Sequence, residues 1–240
     1  MADHYDHIID FIRSQYGTSE FIPLHVPTFA GREKEYVMNT IESTFVSSVG
    51  SYVDRFEELM AGISQTQRAV AVVNGTAALQ VALRLAGVQR NDLVITQALT
   101  FVATANAINY NGADPLFIDV DLDTMGMSPN ALNEYLTSEC EMRDSGCFHR
   151  NSGKRLSACL PMHTFGFPCR IEELVELCNQ WNIPVVEDAA ESMGSTSSGK
   201  PTGSFGKLGV FSFNGNKIVT SGGGGSIVTN DEELGSFAKH

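Results

Sequence analysis

From residue 69 onward, short apolar runs alternate with stretches whose apolar positions recur every three or four residues. The runs at 69–73, 93–96, 116–120, 158–162 and 184–187 are rich in β-branched side chains and read as buried strands. The stretches at 76–86, 102–109, 129–136 and 171–181 read as helices between them. Strands of this kind, separated by helices, imply an α/β fold: a mostly parallel, mixed sheet covered by helices on both faces. Residues 138–157 are polar and aperiodic, so a surface insertion is expected there. After residue 200 the spacing tightens to two strands, 209–213 and 226–229, around a glycine-rich turn at 222–225. Upstream, helices are expected over 1–20 and 31–44, and a third where Val53, Phe56 and Leu59 fall at helical spacing. No repeat or linker divides the chain, which therefore reads as one domain over 1–240.

Charge narrows the function. The 240 residues carry a formal net charge of −12, whereas a nucleic-acid surface needs clustered Lys and Arg. A small-molecule pocket suits the composition better. The acidic, amphipathic N-terminus resembles neither a secretory signal nor a presequence, and no apolar run is long enough to span a bilayer. Five cysteines without a Cys-x-x-Cys pair are expected to be free cytoplasmic thiols. Cys140, Cys147 and His149 do not have the spacing of a zinc site.

In a sheet of this type ligands gather past the carboxyl ends of the strands, and the chemistry-bearing residues are there. Asn74-Gly75-Thr76 follows the first strand and opens a helix, where free N–H groups and a hydroxyl can hold a phosphate or merely cap a turn. Neither a P-loop nor a dinucleotide-binding glycine pattern is present. Asp188 ends the strand PVVED and could be a metal ligand, a helix cap or the partner of a buried cation. Lys217 stands in FSFNGNKIVTSGGGG, where it is either a surface lysine or a group beside something bulky that the glycines admit. Together these pieces match the needs of pyridoxal 5′-phosphate (PLP). The helix start and Ser212 would take the phosphate, Asp188 the ring nitrogen, and Lys217 the aldehyde.

The segments VVNGTAALQVALRLAG, TFVATANAINYNGADPLFIDVD, MHTFGFPCRI, VVEDAAESMGS and GKLGVFSFNGNKIVTSGGGGSIVTND, in this order, resemble the DegT-type nucleotide-sugar aminotransferases of fold-type-I PLP enzymes. The resemblance implies a PLP-binding large domain whose family-typical C-terminal small domain is missing, and a homodimer with shared active sites. It assigns Gly75, Thr76 and Ser212 to the phosphate, Phe101 to stacking on the ring, Asp188 to the ring nitrogen and Lys217 to the Schiff base. His163 lies near the cofactor in this reading, without a role. LHVPTFAGRE and residues 47–50 resemble substrate-side segments. Glu191 departs from the Gln or His that commonly faces the phenolic oxygen, and is expected to turn away or to share a proton. The implied reaction moves the amino group of glutamate onto a nucleotide-linked keto-sugar. STFVSSVGSYVDRFEE together with EDAAESMGS resembles family members that aminate C4 of UDP-4-keto-6-deoxy-N-acetylglucosamine. The rival readings are a PLP-dependent sugar dehydratase, which has histidine where Lys217 stands, and a non-catalytic remnant of the same fold. Because the chain stops within DEELGSFAKH, it is expected to be a poor catalyst alone.

Overall fold

Successive residues of the central strands face opposite sides of the sheet, and each side meets its own set of helices. A computed structural model describes residues 3–240. Helices α1 (Asp3–Tyr16), α2 (Glu33–Glu42) and α3 (Ser51–Ser64) come first, followed by β1 (Arg68–Val72), α4 (Gly75–Leu85), β2 (Leu93–Gln97), α5 (Val102–Tyr110) and β3 (Asp114–Ile118). Then come α6 (Pro129–Glu139), β4 (Cys140–Arg143), β5 (Gly146–His149), β6 (Arg155–Cys159), α7 (Ile171–Gln180) and β7 (Val186–Asp188). A two-residue ribbon, β8 (Thr196–Ser197) with β9 (Lys200–Pro201), precedes β10 (Leu208–Ser212), β11 (Gly225–Thr229) and α8 (Glu232–Lys239).

The strands line up as β1-β11-β10-β7 and β3-β2-β6-β5-β4. Parallel bridges Cys159↔Val185 and Met162↔Asp188 stitch β6 to β7 and make the two halves continuous. β2 pairs in parallel with β3 and β6, and β7 with β10, while β11 runs antiparallel to both β1 and β10. The expected mixed α/β sheet is therefore present. Val94, Ala158, Leu160, Val186, Val210 and Ile227 point to α4, α5 and α8. Their neighbours Ile95, Cys159 and Val185 point to α6 and α7, and Phe211 and Val228 to α3. Burying one such side chain contributes about 1.5–3 kcal/mol, so this two-sided alternation fixes the register.

Some expectations change. Residues 138–157 are no surface insertion: β4 and β5 form a hairpin that extends the sheet through β6. Cys140 and Cys147 are wholly buried beneath α6 and α7 and anchor it, but two small residues among charges leave no readable alternation. The strand expected over 158–162 begins at Arg155, and Leu160 to Met162 continue it only through the bonds to β2 and β7. Of the helix expected over 1–20, residues 1 and 2 lie outside the described residues and the rest ends at Tyr16. The cysteines are free, as expected, and all five are buried. Among the described residues no cluster could hold a metal ion, and no helix is long and apolar enough to cross a membrane.

Candidate active site

A helix cap and two close approaches at glycines shape one end of the site. β1 stops at Val72, and Asn74 caps α4 by accepting the Ala77 amide hydrogen at 2.8 Å, which leaves the Gly75 and Thr76 end of the helix open as an anion site. Gly75 lies against Ser212 at the end of β10: a Cβ there would come within 2.8 Å of the Ser212 Cβ. Gly225, which opens β11, presses equally on the backbone of Asn74. Only glycine fits at either point.

Asp188 ends β7 on the same face as Val186, turned toward α4 and α5, and is almost fully buried. Its Oδ2 accepts a hydrogen bond from Thr104 at 2.7 Å and its Oδ1 one from the Ala190 amide at 3.2 Å. Burial pushes the carboxyl above its ordinary range, while those two hydrogen bonds and the charge of Lys217 pull it back. Lys217 follows a tight turn in which its amide donates to the Asn214 carbonyl. Its Nζ, nearly buried, lies 3.1 Å from Glu191 Oε1 and 5.6 Å from the centre of the Phe101 ring. Glu191 thus faces the amine. Its Oε2 accepts the Phe165 amide hydrogen at 3.2 Å, and the amine supplies the cation that compensates its charge.

Gly75, Thr76, Phe101, Asp188, Ser212 and Lys217 all line one cavity of about 290 Å³, a size that suits a small cofactor. Glu191 sits at its edge, beside Phe101 and Met162. Asn214, Asn216 and Met162 also line the cavity. The asparagines stood in the lysine segment, but only their placement marks them. His163 does not reach the cavity. It is buried beneath it, with Nε2 3.1 Å from Glu187, whose carboxylate also accepts the amides of Gly203, Phe205 and Gly206. The Cys169 amide points its hydrogen at Nδ1, so the ring proton is on Nε2. Burial opposes a second proton and Glu187 favours one, but an Nδ1–H would meet the Cys169 N–H head-on, and the ring stays neutral. LHVPTFAGRE and residues 47–50 are largely exposed and contribute nothing to the cavity.

The family model for DegT/DnrJ/EryC1/StrS aminotransferases matches residues 27–239. The chain belongs to that family. It is 40% identical over 215 residues to GDP-perosamine synthase of Escherichia coli O157:H7, covering 90% of this chain and 55% of that protein. It is 42% identical over 211 residues to EpsN of Bacillus subtilis (strain 168), covering 88% and 52%. The solved structure of DesI, determined in the presence of its TDP-sugar product, superposes with a TM-score of 0.78 at 30% identity, covering 94% of this chain and 55% of that one. The chain thus spans about half the length of the relatives it matches. The DegT/DnrJ/EryC1/StrS family is PLP-dependent, and the residues of this cavity fit the cofactor: a helix start with Ser212 for a phosphate, a buried carboxyl, and an amine, around space that a Cβ at Gly75 would close.

Proposed function

We propose that this chain is the PLP-binding large domain of a nucleotide-sugar aminotransferase that moves the amino group of glutamate to a keto carbon, C4 of UDP-4-keto-6-deoxy-N-acetylglucosamine. The observation that carries the reading is the placement of the Lys217 amine and the Asp188 carboxyl in one cavity with the open start of α4. Bound there, PLP would supply an aldehyde for primary amines and a protonated ring that withdraws electrons. Lys217 would hold that aldehyde and, as a free amine, would move the proton at the substrate's amine-bearing carbon with its Nζ. Asp188 holds a proton at the ring nitrogen. Glu191 faces the freed ammonium and keeps it within reach. Gly75, Thr76 and Ser212 hold the phosphate, and Phe101 covers the ring.

The UDP sugar rests on the resemblance of STFVSSVGSYVDRFEE and EDAAESMGS, and a GDP-linked keto-sugar is the competing substrate, since three relatives are named GDP-perosamine synthase. A lysine at position 217 speaks against the dehydratase reading. A homodimer is part of the proposal: Leu99, Phe101, Val102, Phe165, Phe167 and Ile218 leave an exposed apolar rim at and beside the cavity, which a second copy would cover.

The test has two stages. PLP is added, the protein is reduced with borohydride and its peptides are mapped; pyridoxyl on Lys217 is expected, and a label on Lys200 or Lys207 instead would defeat the assignment. Glutamate is then offered with the UDP-linked or the GDP-linked 4-keto-sugar, to this chain and to a version extended to the length of its relatives. Faster amination of the UDP sugar by the longer chain is expected. Preference for the GDP sugar would overturn the substrate, and equal turnover by the two chains would overturn the need for a further domain.

A further inference from the structure

Thr104 sits in the first turn of α5, completely buried, and reaches Asp188 across 84 residues of sequence. On its other side its Oγ1 is 2.7 Å from Thr100 Oγ1, which in turn lies 2.9 Å from Met162 Sδ. Each hydroxyl has one hydrogen to give. We propose that Thr100, Thr104 and Met162 form a reversible hydroxyl relay that holds Asp188 in either charge state, with Thr104 a positioning residue for the carboxyl that meets the cofactor's ring nitrogen. The inference rests on the cofactor reading above.

An ionised Asp188 only accepts. Thr104 must then donate to Oδ2, and the 2.7 Å contact behind it is filled by Thr100 donating to Thr104. With a proton on Oδ2 the whole line reverses: Asp188 donates to Thr104, Thr104 to Thr100, and Thr100 to the Met162 sulfur. The Ala190 amide holds Oδ1 throughout. Neither direction strands a buried hydroxyl, and the sulfur left over in the first is a weak acceptor that loses little. Both directions matter because burial drives Asp188 toward the neutral acid while its neighbours favour the anion. The charged and titratable groups around it are Lys217 from the loop after β10, His163 from the segment after β6, Glu187 turned to the opposite sheet face, and Glu191 beyond the Lys217 amine. In the loaded site one proton is shared between ring nitrogen and carboxyl. By stabilising the anion, Thr104 keeps that proton on the ring.

The experiment loads this chain with PLP labelled with nitrogen-15 in the ring and records the ring resonance for the parent, Thr104→Val, Thr104→Ser, Asp188→Asn and the Asp188→Asn/Thr104→Val pair. Valine keeps the shape and removes the hydroxyl. Thr104→Val should move the resonance from the pyridinium toward the neutral-pyridine position. Thr104→Ser should restore it, and Thr104→Val should change nothing further on Asp188→Asn. A parent-like resonance in Thr104→Val, or an equal displacement in the Asp188→Asn background, would overturn the relay. If the parent binds no PLP, the cofactor reading fails separately, and the relay is then read in cofactor-free protein by urea unfolding against pH. There Thr104→Val should lose stability more steeply than the parent as pH rises above about 4. Met162→Leu, which removes only the acceptor used by the neutral acid, should lose stability on the acid side alone. Parallel curves for parent and both variants would defeat the proposal.

Discussion

Asp188 shows how burial becomes a pH dependence that a melting experiment can read. Its folded-state proton affinity is raised, chiefly by desolvation, above that of a carboxyl in the unfolded chain, which titrates near about 3.9. The folded protein therefore binds the extra proton. The resulting stability is complete below that value and is lost as pH climbs through the folded one. In cofactor-free protein, Asp188→Asn should flatten this fall between about pH 4 and neutrality, seen as urea midpoints that no longer drop; an unchanged slope would assign the pH dependence elsewhere. Gly75 gives a second prediction. Gly75→Ala places a Cβ 2.8 Å from Ser212, an overpacking that costs about 1–3 kcal/mol and narrows the phosphate end. PLP titrated against this variant should bind at least tenfold more weakly. The cavity lining was legible at this scale because Gly75, Thr76, Asp188, Ser212 and Lys217 each stand at the end of a strand or in the turn after it. Glu191 faces the Lys217 amine, 26 residues away, a partner that the sequence alone does not place. Thr104 went unseen because a buried threonine in a helix gives no sequence signal until its partner is placed.

Between residue and molecule the elements behave as their caps and faces dictate. Asn74 accepts the Ala77 amide and starts α4, so Asn74→Ala should cost about 1 kcal/mol of unfolding free energy and weaken PLP binding in the same protein. A cost in stability without any loss of binding would separate the cap from the phosphate site. Leu83, wholly buried between α4 and the sheet, should cost about 2–5 kcal/mol as alanine and leave the cavity intact. The α/β elements after residue 69 were readable because their strands are buried on both faces and run short between helices of ordinary length. The β4–β5 hairpin was not, since what holds it is pairing with β6 and two buried cysteines, both tertiary facts. β8 and β9 are too short to carry any period.

For the whole molecule the notable surface is apolar. Helix α2 buries nothing, and Phe21, Leu24, Phe29, Phe45 and Val46 stand well out in solvent, as do Phe165, Phe167 and Ile218 beside the cavity. Against this stands a net charge of −12 with an isoelectric point near 4.8, which weakens association at neutral pH and opposes it less as the pH falls. Sedimentation velocity at neutral pH should show a species larger than the 26.0 kDa chain, with association strengthening toward pH 5. Phe167→Asp with Ile218→Asp should return the monomer. A parent that sediments as a monomer at every pH would remove the apolar rim as a contact surface.

β11 lies between β1 and β10, so the strand that leads into the phosphate turn has Gly225 opposite Val72 and Thr229 opposite Arg68. Helix α3 can pack on β1 early, but among the described residues β11 is the only strand paired with β1, so that ladder cannot form until the chain has travelled through the rest of the sheet and returned. Closing so long an excursion is slow and entropically costly, and on the ribosome it must wait until the last strand has emerged. Helix α4 can form early, but its start cannot be pinned against Ser212 and Gly225 before that moment. The ability to capture PLP is thus acquired near the end of folding. A nascent chain released before residue 225 should contain Lys217, Asp188 and the turn at Gly75, and still have no cradle to bring them together.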